Sequence, residues 1–515
     1  MSGKRQPRNE YEFNSTLHSY LQDAFIDVAL ECKTYTDKVE DCIPKIAIIG
    51  GGIGGASASH FLNELFDNNK LLKIDLFEGN EIGGRLATIN INENNYESGG
   101  AIIHNRNKLM KYFAKYLGLE ERNMFANERF GIWSGNEFLF EDSSYEVVTL
   151  AKLVYRYGLQ PFYLDRFVNA LITDFHKIYE LQDNGIGFNN VTSLLSAMNE
   201  EFPQWLEESI KNRLLRMGYD EQFIDEMVKT TIVVNYGQST NIQSFAGFVS
   251  VAGAGTSLWS VKGGNKEVPK QLISRNKNIR VVPAVVKKII YSSEDDGTFK
   301  YTLNYIDEEN SQVMINDVYD VVIIAIPLTQ DQSMSIEFVN FPDDVNLKFP
   351  GNYQTTYATF VKGQLNMSYF GLDYPIDNIL SCNPDKSILS SVGNLCTVEG
   401  IKSDVWKIFS RNSLKKNIID KFFEKTDEVK EIEWKAYPKY STEIYANKFK
   451  LHHHLYHVNA IEWAASAMEM SAIGGRNVAI LAYNDYEQKC KDIHGENDKA
   501  YFNRKKFIPT FHSEF

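Results

Sequence analysis

The alternation of apolar and polar positions changes rhythm along the chain. Residues 1–41 are polar and mixed and read as an extension with one short helix. From Lys45 the pattern tightens. Ile46-Ala47-Ile48-Ile49 is an unbroken apolar run that stops at glycines. Such a run, with no polar alternation, predicts a strand buried on both faces of a parallel sheet. Ala56 to Leu65 follows at helical spacing, and Lys73-Ile74-Asp75-Leu76-Phe77 reads as a second strand. Strand, helix and strand within roughly 35 residues form a βαβ unit.

Residues 107 to 230 read mainly as helices, over Leu150 to Tyr157, Phe162 to Leu181, Val191 to Phe202 and Glu208 to Met217. Strands return at Ile279 to Val282, Val285 to Tyr291, Phe299 to Tyr305 and Tyr319 to Ala325, with a turn at Asp295-Asp296-Gly297. Residues 350 to 450 mix strands and helices. Ala464 to Tyr483 is apolar and helical in pattern, with Gly474-Gly475 as its weak point. The alternation predicts an α/β chain with an inserted α+β, largely helical domain. The predicted partition begins with an extension over 1–41. A nucleotide-binding domain follows in three segments, 42–125, 262–335 and 435–485. A helical insertion over 126–261 and a second insertion over 336–434 separate these segments, and 486–515 is a tail.

Composition narrows the function classes. The chain has 515 residues, 43% hydrophobic and 23% charged, as ordinary globular proteins do. Its formal net charge of −13, with no run of basic residues, disfavours nucleic acid as a partner. No apolar run approaches the roughly 18 residues of a transmembrane helix. The first 41 residues show no signal-peptide core. Cys32, Cys42, Cys382, Cys396 and Cys490 contain no C-x-x-C pair, so zinc is not signalled. Asn14-Ser15-Thr16, Asn190-Val191-Thr192 and Asn366-Met367-Ser368 fit the glycosylation triplet.

The chemistry concentrates after the first strand. Gly50-Gly51-Gly52-Ile53-Gly54-Gly55 matches G-x-G-x-x-G at Gly50, Gly52 and Gly55. The first glycine permits a tight turn, the second lets backbone approach a pyrophosphate, and the third lets helix and strand pack closely. The helix start that follows offers N–H groups and a positive dipole end to phosphates. Glu78 ends the second strand, roughly twenty residues on, where a carboxylate can accept from ribose hydroxyls and would repel a ribose phosphate. An exposed strand-end acid is the alternative reading.

FAD and NAD share this fingerprint. Gly83-Gly84-Arg85 resembles the glycine–glycine–arginine segment of the glutathione-reductase and amine-oxidase flavoproteins, where it lies along the FAD diphosphate. Gly99-Gly100-Ala101 resembles the amine-oxidase segment that passes the flavin ring. Val286-x-x-Ile289 resembles their adenine-contacting strand. Tyr319 to Pro327 resembles the strand beneath the adenine side. Glu462, with Ala467 and Met468 on the following helix, resembles the amine-oxidase segment whose acid binds the ribityl chain and whose helix faces the flavin pyrimidine. The resemblance implies a Rossmann-like FAD-binding domain of the glutathione-reductase and amine-oxidase type.

Four stretches go further and resemble the prenylcysteine oxidase family. They are Tyr155-Arg156-Tyr157-Gly158-Leu159-Gln160, Val234 to Thr240, Leu258 to Lys266 and Leu455 to Ile473. The likeness spans roughly residues 44 to 485. It implies FAD-dependent oxidative cleavage of the thioether of farnesyl- or geranylgeranyl-cysteine. Cysteine, a prenyl aldehyde and hydrogen peroxide are the products, with dioxygen as acceptor. It also implies a lysosomal or vacuolar protein; without a visible signal, the cytoplasm is the other expectation. The competing readings are an amine-oxidase or desaturase-type flavoenzyme and a non-catalytic prenyl-lipid-binding flavoprotein.

The catalytic candidates are His104, Tyr236 and Lys262. His104 lies four residues past Gly100 and could orient water; a structural histidine is the alternative. Tyr236 and Lys262 stand inside the family-like stretches. His452, His453, His454 and His457 invite a metal reading, but consecutive histidines point in different directions and no carboxylate or cysteine pattern completes a site, so no metal is expected. The helical block from 150 to 230 has apolar residues enough to line a prenyl pocket or to fill its own core.

Overall fold

A computed structural model of the protein describes residues 43–66, 72–123, 128–254, 257–293, 295, 297–307, 314–329, 331, 336–349, 351–383, 385–443 and 448–494. The expected extension 1–41 and the tail beyond residue 494 lie outside them. Among the described residues, Lys45–Tyr483 belong to one compact unit and Asn484–His494 to another. The description below concerns the first unit.

Strand β1 (Lys45–Ile49) leads through the glycine turn into helix α1 (Ile53–Leu65) and then strand β2 (Lys73–Phe77). Helices α2 (Glu146–Tyr157) and α3 (Gln160–Phe175) follow farther on, joined by Gly158 and Leu159. Strands β3 (Ile279–Val282), β4 (Val321–Ile324), β5 (Lys450–His452) and β6 (Leu455–His457) complete a six-stranded sheet in the order β3-β2-β1-β4-β6-β5. All neighbours are parallel except β5 and β6. Helix α4 (Met468–His494) closes the described chain. Ile46, Ala47 and Ile48 are completely buried, as a central parallel strand requires. Ile46 and Ile48 each contribute roughly 1.5–3 kcal/mol by leaving water.

A four-stranded sheet lies against this one. Its members are Met314–Tyr319, Phe299–Asp307, Ala284–Ser293 and Glu337–Val339. Ala47, Phe77 and Ile324 share one core with Val286, Ile289, Tyr301 and Leu303. The apolar segment that reads as one strand from Tyr319 is therefore two. Tyr319 ends a strand of the small sheet, and Val321 starts β4 of the large one. Asp320 sits at the corner, its carboxylate accepting from the Lys45 N–H at 2.8 Å.

The insertion is less helical than the apolar spacing predicts. Residues 107 to 230 also contain the strands Glu121–Asn123, Phe130–Trp133 and Phe138–Glu141. The segment Phe162 to Leu181 divides at His176 into α3 and Lys177–Asp183. Residues 353–438 contribute five strands to a seven-stranded sheet that Phe130–Trp133 and Phe138–Glu141 complete. Two of the glycosylation triplets begin helical turns. Asn190 accepts from the Ser193 N–H at 2.8 Å and Asn366 from the Tyr369 N–H at 3.1 Å, the work of an N-cap side chain. Cys382 and Cys396 are free thiols. Among the described residues no helix is long and apolar enough to cross a membrane.

Candidate functional site

The three motif glycines do different physical work. Gly50 has φ +112°, and a Cβ there would lie 2.7 Å from the Ala325 carbonyl oxygen. A Cβ on Gly55 would lie 2.0 Å from the Gly50 oxygen. Both glycines are demanded by the fold itself. A Cβ on Gly52 would meet nothing nearer than the Gly83 oxygen at 3.8 Å. The open space beside Gly52 is what a pyrophosphate needs to reach the backbone. Gly52 is the N-cap of α1, no side chain caps that end, and its first turn carries no acid. The N–H groups of the first turn thus face the same space with the positive end of the helix dipole.

Two neighbouring loops enclose this space. Gly83 and Gly84 have φ of +134° and +58°, and the Gly83 N–H donates to the Gly51 oxygen at 3.0 Å. Glu78 stands at the end of β2. It accepts from the Gly51 N–H at 2.8 Å and from the Asn80 N–H at 3.0 Å. Its carboxylate is thereby fixed at the glycine turn, where the adenosine ribose of a dinucleotide would lie. Val286, the expected adenine-strand residue, is buried in the shared core and paired with Tyr305.

Arg85 spans from this loop to the last segment of the site. Both terminal nitrogens bond Glu462, and Nη1 also donates to the Ala436 oxygen at 2.8 Å. The Arg85 side chain keeps 31% of its surface exposed, while that of Glu462 is fully buried. Glu462 also accepts from Tyr353 Oη at 2.7 Å and Asn459 Nδ2 at 2.9 Å. Its two oxygens are fully used inside the protein. Glu462 therefore anchors Arg85, and the direct cofactor contact expected of it is not available in this arrangement.

The Gly99-Gly100-Ala101 segment is strapped from three sides. Lys407 Nζ donates to the Glu97 oxygen at 3.1 Å, Trp434 Nε1 to the Ser98 oxygen at 3.1 Å and Asn265 Nδ2 to the Gly100 oxygen at 2.9 Å. The Asn265 N–H in turn donates to the Glu97 carboxylate at 2.6 Å. A Cβ on Gly99 would collide with the Arg85 oxygen at 1.9 Å; one on Gly100 would approach Leu86 Cδ2 at 2.9 Å and Met468 Cε at 3.8 Å. Gly99 is thus required by the Arg85 backbone, whereas Gly100 packs against the Leu86 and Met468 side chains, beside the start of α4. Ala101 is half-buried and Ala467 exposed, so the start of α4 opens on accessible space. Burial pushes the Glu97 carboxyl up to about 7 and the Lys407 amine down to about 8.

The catalytic candidates separate. His104 ends a short strand four residues after Gly100 and is half-buried. Its Nδ1 accepts from the Arg106 N–H at 3.1 Å. Burial, then Arg106 and Lys111, holds it below the usual histidine range. The ring is neutral at pH 7, and with Nδ1 accepting, the proton belongs on Nε2. Tyr236 is buried, and its hydroxyl donates to the Ser466 oxygen at 3.1 Å. It supports the entry to α4. Lys262 is exposed and paired with Glu120 at 2.8 Å, so it does not join the cluster. The histidine run is packed into structure. His452 Nδ1 lies 2.8 Å from Tyr301 Oη, and His457 Nε2 3.3 Å from the Ile326 oxygen.

Asn265, Lys407, Trp434, Tyr353 and Asn459 escape a reading by motif. Asn265 and Asn459 fall inside the family-like stretches, where they could have been singled out. Lys407, Trp434 and Tyr353 stand on separate strands with no local signal.

The site fits a dinucleotide with its pyrophosphate at the α1 glycine turn and one ring at the start of α4. Comparison with known proteins agrees. Residues 140–496 match the family model for prenylcysteine lyase, and residues 48–117 that for an NAD(P)-binding Rossmann-like domain. The chain is 38% identical to prenylcysteine oxidase 1 of Homo sapiens over 460 residues, covering 85% of this chain and 89% of that protein. It is 35% identical to a prenylcysteine oxidase 1-like protein of Bos taurus, covering 87% and 92%. Among solved structures, cyclohexylamine oxidase from Brevibacterium oxydans aligns with a TM-score of 0.55 at 13% identity, covering 86% of this chain and all of that one. A putrescine oxidase double mutant aligns with a TM-score of 0.55 at 14% identity, covering 85% and 99%. These two likenesses concern the fold.

Proposed function

The chain belongs to the prenylcysteine lyase family, and we propose that it is an FAD-dependent oxidase that cleaves the thioether of a prenylated cysteine. The carrying observation is the reserved space at Gly52, in a chain 38% identical to a prenylcysteine oxidase over most of both lengths. Ile53, Gly54 and Gly55 offer the helix-start N–H groups to the FAD pyrophosphate. Gly83 and Gly84, with the partly exposed side chain of Arg85, flank the same phosphates. Glu78 takes the adenosine ribose, and Val286 backs the adenine. Gly100, Ala101, Ala467 and Met468 line the ring end. Bound FAD supplies a two-electron acceptor there.

In net terms, prenylcysteine, dioxygen and water give cysteine, a prenyl aldehyde and hydrogen peroxide. The carbon beside sulfur loses one hydride, that is two electrons and one proton, and gains the oxygen of water; one water proton goes to the leaving sulfur and the other joins the hydride in reducing dioxygen to hydrogen peroxide. The carbon–sulfur bond breaks, and sulfur leaves as the thiol. The chain must hold that carbon at the ring end, exclude bulk solvent and admit one water. We assign the water to His104, whose Nε2–H is a donor and whose low basicity keeps it neutral. By family, the protein works in the lysosome or vacuole; cell fractionation that recovered it in the cytosol would overturn that placement.

Purified protein will show oxidised-flavin absorbance that bleaches on anaerobic addition of farnesylcysteine. Flavin bands that stay unchanged with farnesylcysteine but bleach with an amine would move the protein to the amine oxidases. His104→Ala should retain its flavin and bleach at least tenfold more slowly. Unchanged bleaching would remove His104 from the reaction.

A further inference from the structure

The turn that carries His104 closes on itself. Asn107 Oδ1 accepts from the His104 N–H at 2.9 Å, and the Asn107 N–H donates to the His104 oxygen at 2.9 Å. Asn107 is also the N-cap of the helix Lys108–Leu117. A side chain in that place ordinarily accepts from the second or third N–H of the first turn. Bonded back to His104, the Asn107 side chain makes no cap bond. The helix therefore opens with two N–H groups, those of Leu109 and Met110, that its own N-cap leaves unmet. Both residues are completely buried, and an orphaned N–H in such a place is strongly unfavourable.

The acceptor comes from 360 residues farther along the chain. Glu469, in the first turn of α4, accepts from the Leu109 N–H with Oε1 at 2.8 Å and from the Met110 N–H with Oε2 at 2.9 Å. Tyr179 Oη donates to Oε1 at 2.6 Å. The residue is 3% exposed, and both of its oxygens are engaged. Glu469 thus caps a helix to which it does not belong. The helix that bears Tyr179, Lys177–Asp183, steadies the same turn at a second point: His176, its N-cap, lies 3.2 Å from the Arg106 oxygen through Nε2.

Two neighbours in sequence therefore serve two parts of the site. Met468 lies against Gly100 at the ring end. Glu469 grips the first turn of the helix that follows His104. Any slip between α4 and the Lys108–Leu117 helix changes the distance from His104 to the ring end. A misplacement of about 1 Å in a reacting site can cost on the order of a hundredfold in rate.

We propose that Glu469 is a positioning residue for the reaction: by capping the Lys108–Leu117 helix from the first turn of α4, it holds His104 in register with the ring end. The role rests on the assignment of the substrate water to His104, whereas the cap itself depends on no substrate.

Amide hydrogen exchange of the purified protein reads the cap directly. Glu469→Gln keeps one acceptor oxygen and turns an amide NH2 toward the other N–H. The peptide spanning Leu109 and Met110 should then exchange roughly tenfold faster, with exchange in α1 unchanged. Anaerobic bleaching of the flavin by farnesylcysteine reads the positioning. Glu469→Gln should retain its flavin and bleach roughly tenfold more slowly at saturating substrate. Its half-saturating concentration should stay within roughly twofold of wild type. Added to His104→Ala, the same substitution should cost less than roughly twofold more, because the group it positions is gone. Tyr179→Phe keeps both backbone bonds and should slow bleaching by roughly threefold, again only where His104 is present. Wild-type bleaching in Glu469→Gln overturns the proposal, as does unchanged exchange at Leu109 and Met110. Losses that multiply in the double variant also overturn it, since a cap that merely steadied the fold would act on either background. Flavin that farnesylcysteine bleaches in no variant, beside amides that still open in Glu469→Gln, supports the cap and sinks the prenylcysteine reading instead.

Discussion

A Cβ at Gly52 has no neighbour nearer than 3.8 Å, whereas one at Gly55 would lie 2.0 Å from a backbone oxygen. The two substitutions must therefore fail differently. Gly52→Val should fold, at a cost of about 1 kcal/mol for a poorer helix start, and purify without flavin. Gly55→Val forces strand and helix apart and should be recovered only as insoluble chain. Flavin content beside a thermal melt separates the two, and a Gly52→Val protein with full flavin would refute the pyrophosphate placement. The spacing of Gly50, Gly52 and Gly55 made the motif readable, because a backbone constraint leaves a mark on residue type. Glu78 and Arg85 were readable for the same reason, being tied to short loops. Lys407, Trp434 and Asn265 were not. Each reaches the Glu97–Gly100 segment across more than a hundred residues of chain, and no local pattern records such a contact. Lys262 shows the converse, since a place in a family-like stretch does not say which way a side chain points.

Helices α1 and α4 must both direct their N-termini at one ligand, and small residues at their crossing make this possible. A Cβ on Gly475 would lie 2.3 Å from the Gly54 oxygen and 2.9 Å from the Ala58 nitrogen. Ser57 Oγ donates to the Ala472 oxygen at 2.7 Å across the same contact. Gly474-Gly475 reads in the sequence as a weak point, because glycine costs a helix about 1 kcal/mol relative to alanine. The helix instead runs unbroken from Met468, since packing outweighs propensity. Gly475→Ala gains helix propensity and still should lose stability, by roughly 1–3 kcal/mol of overpacking. It should also release flavin more readily, as the α4 start shifts from Gly100. A urea midpoint equal to or above wild type would show that the crossing has slack. The strand-rich stretch 353–438 was less legible at this scale. Its strands pair across the insertion, and Phe130–Trp133 joins the same sheet from over two hundred residues away.

Across the whole molecule, the α/β plan with its insertion was legible because a parallel sheet demands unbroken apolar strands at β1 and β4. The dependence of stability on pH was not, because it arises from burial. Glu97 is 5% exposed, and its carboxyl titrates near 7 in the folded protein against 4.5 for an open carboxyl. Between those values the folded chain holds a proton that the unfolded chain has lost. Stability therefore falls as pH rises through this window and is restored as pH falls toward 4.5. Lys407 titrates near 8 against 10.5, so between those values the unfolded chain holds the extra proton and stability rises with pH. The pair places its least favourable point between about 7 and 8 and favours an acidic compartment, in keeping with the lysosomal proposal. Glu97→Gln preserves the acceptor for the Asn265 N–H and removes the titration. Urea unfolding at pH 5 and pH 7 should show wild type losing about 2 kcal/mol more than Glu97→Gln between the two. Equal losses would mean that Glu97 ionises as freely folded as unfolded, and the acid preference would then have to come from elsewhere in the chain.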